Sequence, residues 1–242
     1  MDASVNEPIL RSPPIVLGLC AAFVIVHGLV FTLEMTDVLW VFSVFSFIPA
    51  QLGEGVKALA NLVSFAFFHG SWEHVILNTL WLLVFGTPVA VRLETPARFI
   101  GLFLLTSVVS GLTHYVFHAD SAVPLVGASG GVAGMFGAAT RFALPGVSWL
   151  NPDQARKKLP LMPLRQTLSR RPVLVFIAVW MALNVVSGVS GLSPSGQSVS
   201  IAWQAHIGGF VAGLLLLPCF EKPPVSPSGG PGNVEYGRWA GS

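Results

Sequence analysis

Charge-free apolar intervals recur along this chain at a length that can cross a bilayer. A spanning helix needs about 20 consecutive apolar residues, and residues 12–33, 74–91, 99–119 and 121–140 each provide such an interval. Residues 172–220 are long enough for two, separated by a Gly/Ser/Pro-rich stretch at 188–200. The pattern predicts six transmembrane helices. Residues 38–53 are also apolar and aromatic, but 16 residues are few for a span and Pro49 interrupts them near the end. An interfacial or re-entrant first loop is predicted there instead. The first interval is longer than a signal-peptide core of about 7 to 15 residues, so it reads as a retained anchor helix opened by Pro13 and Pro14.

Composition agrees with this pattern. Only 10% of residues are charged and 53% are hydrophobic, against a usual charged share of about 25%, so there is too little charge to cover a soluble surface. Of thirteen Lys and Arg, Arg11 lies before the first span, Arg92 and Arg98 between spans two and three, seven between spans four and five, and Lys222 and Arg238 after span six. Lys57 alone falls on the other side. By the positive-inside rule both termini are expected in the cytoplasm. The basic residues are sorted by membrane side and not gathered on one face, which gives a nucleic-acid role no support. The basic loop 141–171 suits orientation and contact with anionic lipid.

Cys20 and Cys219 lie far apart in apolar stretches, so neither a disulfide framework nor a zinc spacing is present. No cofactor or metal site is expected. Residues 1–12 and 221–242 read as cytoplasmic tails, the second disordered, flanking one six-span domain at 13–220. No internal repeat is evident, which leaves an inverted-repeat transporter without support.

Polar residues inside the spans are few. Counting from outer ends near Trp72, Val123 and Ile201, His74 and Asn78 fall about two and six residues in, Ser129 about six and His206 about five; at ~1.5 Å rise per residue they share a depth of roughly 3 to 9 Å. His74 and Asn78, at i and i+4, also share a helix face. Ser129 sits in Gly127-Ala128-Ser129-Gly130-Gly131, which fits both close helix packing and the G-x-S-x-G elbow of soluble hydrolases. The elbow needs a preceding strand, and none is plausible in this chain. A helix start could replace it, with first-turn N–H groups free to face an oxyanion. Serine needs a general base, and the spans contain no Asp or Glu to complete a triad. A Ser129–His206 dyad remains, with His74 and Asn78 as donors beside it. His27, His69, His114 and His118 read as interfacial side chains with one wet end.

The chain resembles the rhomboid family of intramembrane serine proteases. The resemblance rests on His69-x4-His74-x3-Asn78, Gly127-Ala128-Ser129-Gly130 and Ala205-His206-x-x-Gly209-x3-Gly213, in that order on the second, fourth and sixth spans, and covers about residues 14 to 220. It implies an all-α, integral membrane six-helix bundle with a partly embedded first loop, which cuts transmembrane protein substrates. Ser129 would be the nucleophile and His206 the base, with His74, Asn78 and the Ser129 N–H forming the oxyanion hole. The likeness is to the minimal bacterial type, which implies a multi-pass protein of the bacterial inner membrane. Four residues after the serine, where the family often carries an aromatic stacked on the imidazole, this chain has Ala133. Trp203, three residues before His206, is a candidate replacement; membership of an aromatic belt is its alternative reading. Two rivals are an inactive rhomboid-like protein that binds membrane clients and a small-molecule channel or transporter.

Overall fold

The computed structural model describes residues 12–143, 161–190 and 202–221. Most of the tails, of the basic loop and of the Gly/Ser/Pro-rich stretch before the last helix lies outside the described residues. Helices dominate. They are α1 (Pro14–Phe31), α2 (Met35–Phe45), α3 (Val56–Ser64), α4 (Trp72–Trp81), α5 (Thr87–Leu93), α6 (Pro96–His118), α7 (Ser129–Thr140), α8 (Leu164–Thr167), α9 (Arg171–Ser190) and α10 (Trp203–Phe220). Among the described residues five helical segments are long and apolar enough to cross a membrane: Pro14–Phe31, Trp72–Leu93, Pro96–His118, Arg171–Ser190 and Trp203–Phe220. With their hydropathy, they make this a multi-pass membrane protein.

Local chemistry explains several boundaries. Proline begins α1 and α6 at a position whose missing N–H costs nothing. Ser71 caps α4 by accepting from the His74 N–H at 3.2 Å. Between α4 and α5 the second span widens into one π-helical segment, Leu82–Gly86. Pro88 follows at once; its ring cannot tolerate the carbonyl four residues back, and the wider turn relieves that clash. Near the end of α10, Pro218 leaves the Leu214 carbonyl without its usual partner. The buried Arg141 supplies a replacement, donating from Nη1 to Leu214 O at 3.0 Å and from Nε to Met162 O at 2.9 Å.

The fourth predicted span differs from expectation. Residues 121–140 were expected to form a full crossing, but α7 begins only at Ser129 and has 12 residues. At ~1.5 Å per residue it is about 18 Å long. The preceding segment is pinned elsewhere: Phe47 and Leu125 exchange backbone hydrogen bonds (3.1 and 2.8 Å), and the Ala50 N–H donates to Ser121 O at 3.1 Å. A short helix is sufficient here because α7 is the centre of the bundle, with every residue from Gly130 to Thr140 buried. It has no lipid-facing side.

Small residues let α7 be enclosed so tightly. A Cβ at Gly209 would collide with Gly130 O, one at Gly213 with Gly134 O, and one at Gly137 with Phe210 O. Here α7 and α10 touch backbone to backbone, the close approach that glycine permits in membrane bundles. In the first loop α2 has 11 residues and α3 has 9, both too short to span. Phe47, Leu62 and Phe65 bury a small satellite core beneath them.

Helix α9 is the loosest member. Val173 is its one fully buried residue, and Val175, Leu183, Val186 and Val189 are largely exposed, as suits a lipid-facing helix. It is held by rings: Phe136 of α7 meets Phe176 at 5.3 Å and Trp180 at 5.2 Å, and Trp180 meets Phe210 of α10 at 5.5 Å.

Both described ends of the chain meet α5 at one end of the bundle. Ser12 Oγ and Thr87 Oγ1 lie 2.8 Å apart, and Arg92 pairs with Glu221. Arg92 also lies 4.5 Å from the Phe142 ring. The polar residues singled out above occupy the opposite end.

Candidate active site

Three helices start at that opposite end and each contributes a polar group within its first turn or two. His74 is the third residue of α4, Ser129 the first of α7 and His206 the fourth of α10. Expected at a shared depth, they do share a level, but Ser129 reaches it at a helix terminus and not about six residues inside one. That difference matters chemically. The first bond into α7 runs from the Val132 N–H to Ala128 O at 2.9 Å, so the N–H groups of Ser129, Gly130 and Gly131 precede the intrahelical ladder and are available to an anion.

The segment leading to Ser129 is built for close approach. Gly127 adopts φ +119°, in the region that favours glycine, and a Cβ there would strike the His74 imidazole. The Gly127 N–H donates to Phe65 O at 3.0 Å, and the Ala128 N–H points to His69 Nε2 at 3.4 Å. His69 lies in the loop before α4. Burial, then its neighbours His74 and His27, hold it far below the ordinary histidine range, at about 3, so it stays neutral and able to accept.

His69 and His27 were expected to keep one end wet. Both are buried instead, His69 at 1% and His27 at 5% exposure. His27 Nδ1 lies 3.1 Å from His69 O, and its ring meets Trp72 edge-on at 4.7 Å. They form a packed support under the loop. His114 and His118 on α6 pair ring to ring at 4.5 Å, apart from these groups in sequence and helix.

Ser129 Oγ and His206 Nε2 lie 2.7 Å apart, across α7 and α10. Neither residue is fully buried. A serine hydroxyl bonded to a neutral imidazole is the pairing that can transfer its proton as oxygen attacks a carbonyl. Among the described residues no hydrogen bond joins His74 or Asn78 to Ser129. His74 is placed against Gly127, two residues earlier, and Asn78 lies one turn along the same face of α4. Asn78 is buried and its Nδ2 donates to His74 O at 2.9 Å, which uses one of its two N–H groups.

Sequence reading missed one participant. His206 Nδ1 is hydrogen-bonded to Asn184 Oδ1 of α9. Trp203 makes no ring contact with His206 among the described residues, which leaves its alternative reading, membership of an aromatic belt. Ala133 is buried within α7 at 4% exposure. The available signal was the spacing of Phe176, Trp180 and Asn184: at i, i+4 and i+8 they line one helix face, the face that packs on α7 and α10. Among the described residues no cluster of three or more His, Cys, Asp or Glu could hold a metal ion.

Comparison with known proteins places this geometry in context. A model of the Rhomboid domain matches residues 56–222. The chain is 27% identical over 206 residues to a protein named Rhomboid protease GlpG from Serratia proteamaculans, covering 85% of this chain and 62% of that protein. It is 28% identical over 154 residues to the protein of that name from Yersinia pestis (strain Pestoides F), covering 64% of this chain and 45% of the relative. The chain thus spans less than two thirds of the length of the curated relatives it matches. The matched region runs from α3 through α10, holds Ser129, His206, His74 and Asn78 together, and accounts for more than half of the sequence, so the chain belongs to the rhomboid family.

Proposed function

We propose that this protein is an intramembrane serine endopeptidase that cleaves transmembrane segments of other membrane proteins. The observation that carries the reading is the 2.7 Å separation of Ser129 Oγ and His206 Nε2 at the N-terminal ends of two glycine-packed helices. Ser129 Oγ attacks the scissile carbonyl carbon while His206 Nε2 takes its proton. The negative charge that develops on the carbonyl oxygen meets the Ser129 N–H, with Asn78 and His74 as side-chain donors. Each good oxyanion donor contributes about 3 to 4 kcal/mol in the transition state. His206 passes the proton to the leaving amine, and water then releases the acyl group by the reverse sequence, with His206 as base again.

Names of the relatives support the class of reaction. Ser129 and His206 lie at the end of the bundle opposite Arg92, Arg141 and Glu221. With the basic residues facing the cytoplasm, cleavage occurs near the outer face of a bacterial inner membrane, and both termini are cytoplasmic. Substrate helices reach the site from the surrounding lipid. The mechanism proposed requires no metal or cofactor.

The test is labelling of the purified protein with a fluorophosphonate, which reacts only with an activated serine. Labelling of wild type and none of Ser129→Ala supports the proposal. An unlabelled wild type, folded and inserted, overturns it and favours a client-binding protein without proteolysis.

A further inference from the structure

Imidazole has two neutral tautomers, and only the one protonated at Nδ1 leaves Nε2 free to accept the serine proton. Asn184 bears directly on this choice. Its Nδ2 donates to Trp180 O, four residues back on the same helix, at 2.8 Å. An amide nitrogen can only donate and its oxygen can only accept, so this bond settles which way the side chain faces. Oδ1 is then the atom directed at His206 Nδ1, and an oxygen there requires that Nδ1 carry the proton.

The chain of bonds thus runs in one direction: Nδ2–H to Trp180 O, His206 Nδ1–H to Asn184 Oδ1, and Ser129 O–H to His206 Nε2. Three helices take part, α9, α10 and α7. Phe176 and Trp180 anchor α9 against Phe136 and Phe210, so Asn184 is presented by a face already held to the two helices that carry the reacting pair.

We infer that Asn184 is the positioning residue for His206, holding the imidazole in the tautomer and orientation that let Nε2 take the proton of Ser129. The inference rests on the reading of Ser129 and His206 as a catalytic pair. It assigns to a side-chain acceptor the task that ring stacking would otherwise perform, and it explains how a chain with Ala133 keeps its imidazole aligned. As the imidazole becomes imidazolium, the Nδ1–H···Oδ1 bond becomes charge-assisted and strengthens, so the same contact acts on the transition state. His74, held against Gly127 on the serine side, is the titratable side chain that α4 brings toward the pair. Asn184 itself is uncharged, so it fixes the tautomer without adding a charge.

Two substitutions separate this role from packing. Asn184→Leu keeps the approximate shape and removes the acceptor; Asn184→Asp keeps an acceptor and adds charge. The readout is the second-order rate of fluorophosphonate labelling of the full-length protein, measured against pH, with the thermal midpoint recorded for each variant. Wild type must label at Ser129; if it does not, the catalytic reading fails, and this inference with it. Given labelling, the Leu variant should react about 10- to 100-fold more slowly at an unchanged thermal midpoint, as expected for loss of a hydrogen bond to a group that becomes charged. The Asp variant should recover most of the rate. A carboxylate beside the ring favours imidazolium, so the acid limb of its profile should move to higher pH, by about 1 unit or more. A Leu variant that labels at the wild-type rate, or an Asp variant that reacts no faster than Leu on an unshifted limb, would overturn the assignment.

Discussion

Gly209 of α10 faces the carbonyl oxygen of Gly130 on α7 so closely that a Cβ at position 209 would overlap it. Gly209 is one turn beyond His206 on the same helix face, and Gly130 adjoins Ser129. This backbone contact therefore sets the distance between the Ser129 and His206 side chains. Gly213 against Gly134 repeats it one turn deeper, which fixes the crossing of the helices as well as their spacing.

Gly209→Val should wedge α7 from α10. Because the obstructing atoms are backbone, no rotamer change relieves the overlap, and a loss of about 1 to 3 kcal/mol or more is expected. Fluorophosphonate labelling of Ser129 should fall to background. Gly18→Ala, where nothing lies within 4 Å of the added Cβ, is the matched control and should leave both stability and labelling unchanged.

Ser129→Ala and His206→Ala should each abolish cleavage of a helix-destabilised transmembrane substrate while membrane insertion persists. Groups that act as one unit are grossly non-additive when removed. The double variant should then be no worse than either single one. A double variant far slower than both would show that the two residues act independently.

Asn78→Ala should lower kcat by about 10- to 1000-fold without eliminating turnover, the range expected when one of several oxyanion donors is lost. Its bond to His74 O also orients the first turns of α4, so circular dichroism should be compared. An intact helix with unchanged kcat would make Asn78 a packing residue.

Trp203→Ala should retain kcat within about twofold, since no ring contact ties the indole to His206. Ala133→Phe should destabilise the protein, because Ala133 lies within a helix whose residues Gly130 to Thr140 are all buried and an added ring costs about 1 to 3 kcal/mol or more. A Trp203→Ala enzyme that loses activity and regains it with Ala133→Phe would show that an aromatic wall, and not Asn184, orients His206.

Much of the architecture was legible because transfer into lipid is nearly additive along a helix. Long charge-free intervals located α1, the α4–α5 span, α6, α9 and α10, and the length and proline content of residues 38–53 marked them as too short to cross. The glycine-rich string around Ser129 was compatible with close helix packing without deciding it, and Ser129 and His206 stood out because polar side chains inside spans are costly. The start of α7 was missed by hydropathy. Residues 121–128 are free of charge and so counted toward a span by hydropathy, but Pro124 and Gly127 interrupt a helix there, and Phe47, Ala50 and Phe65 offer the segment's backbone groups other partners. Asn184 was visible as a polar residue in an apolar span, yet its partner was not. Hydropathy is a property of one residue in its own surroundings, whereas the hydrogen bond to His206 depends on where α9 meets α10. That crossing is set by Trp180 against Phe210 and by the glycine contacts that hold α10 on α7, distances between helices that no spacing within a single helix encodes.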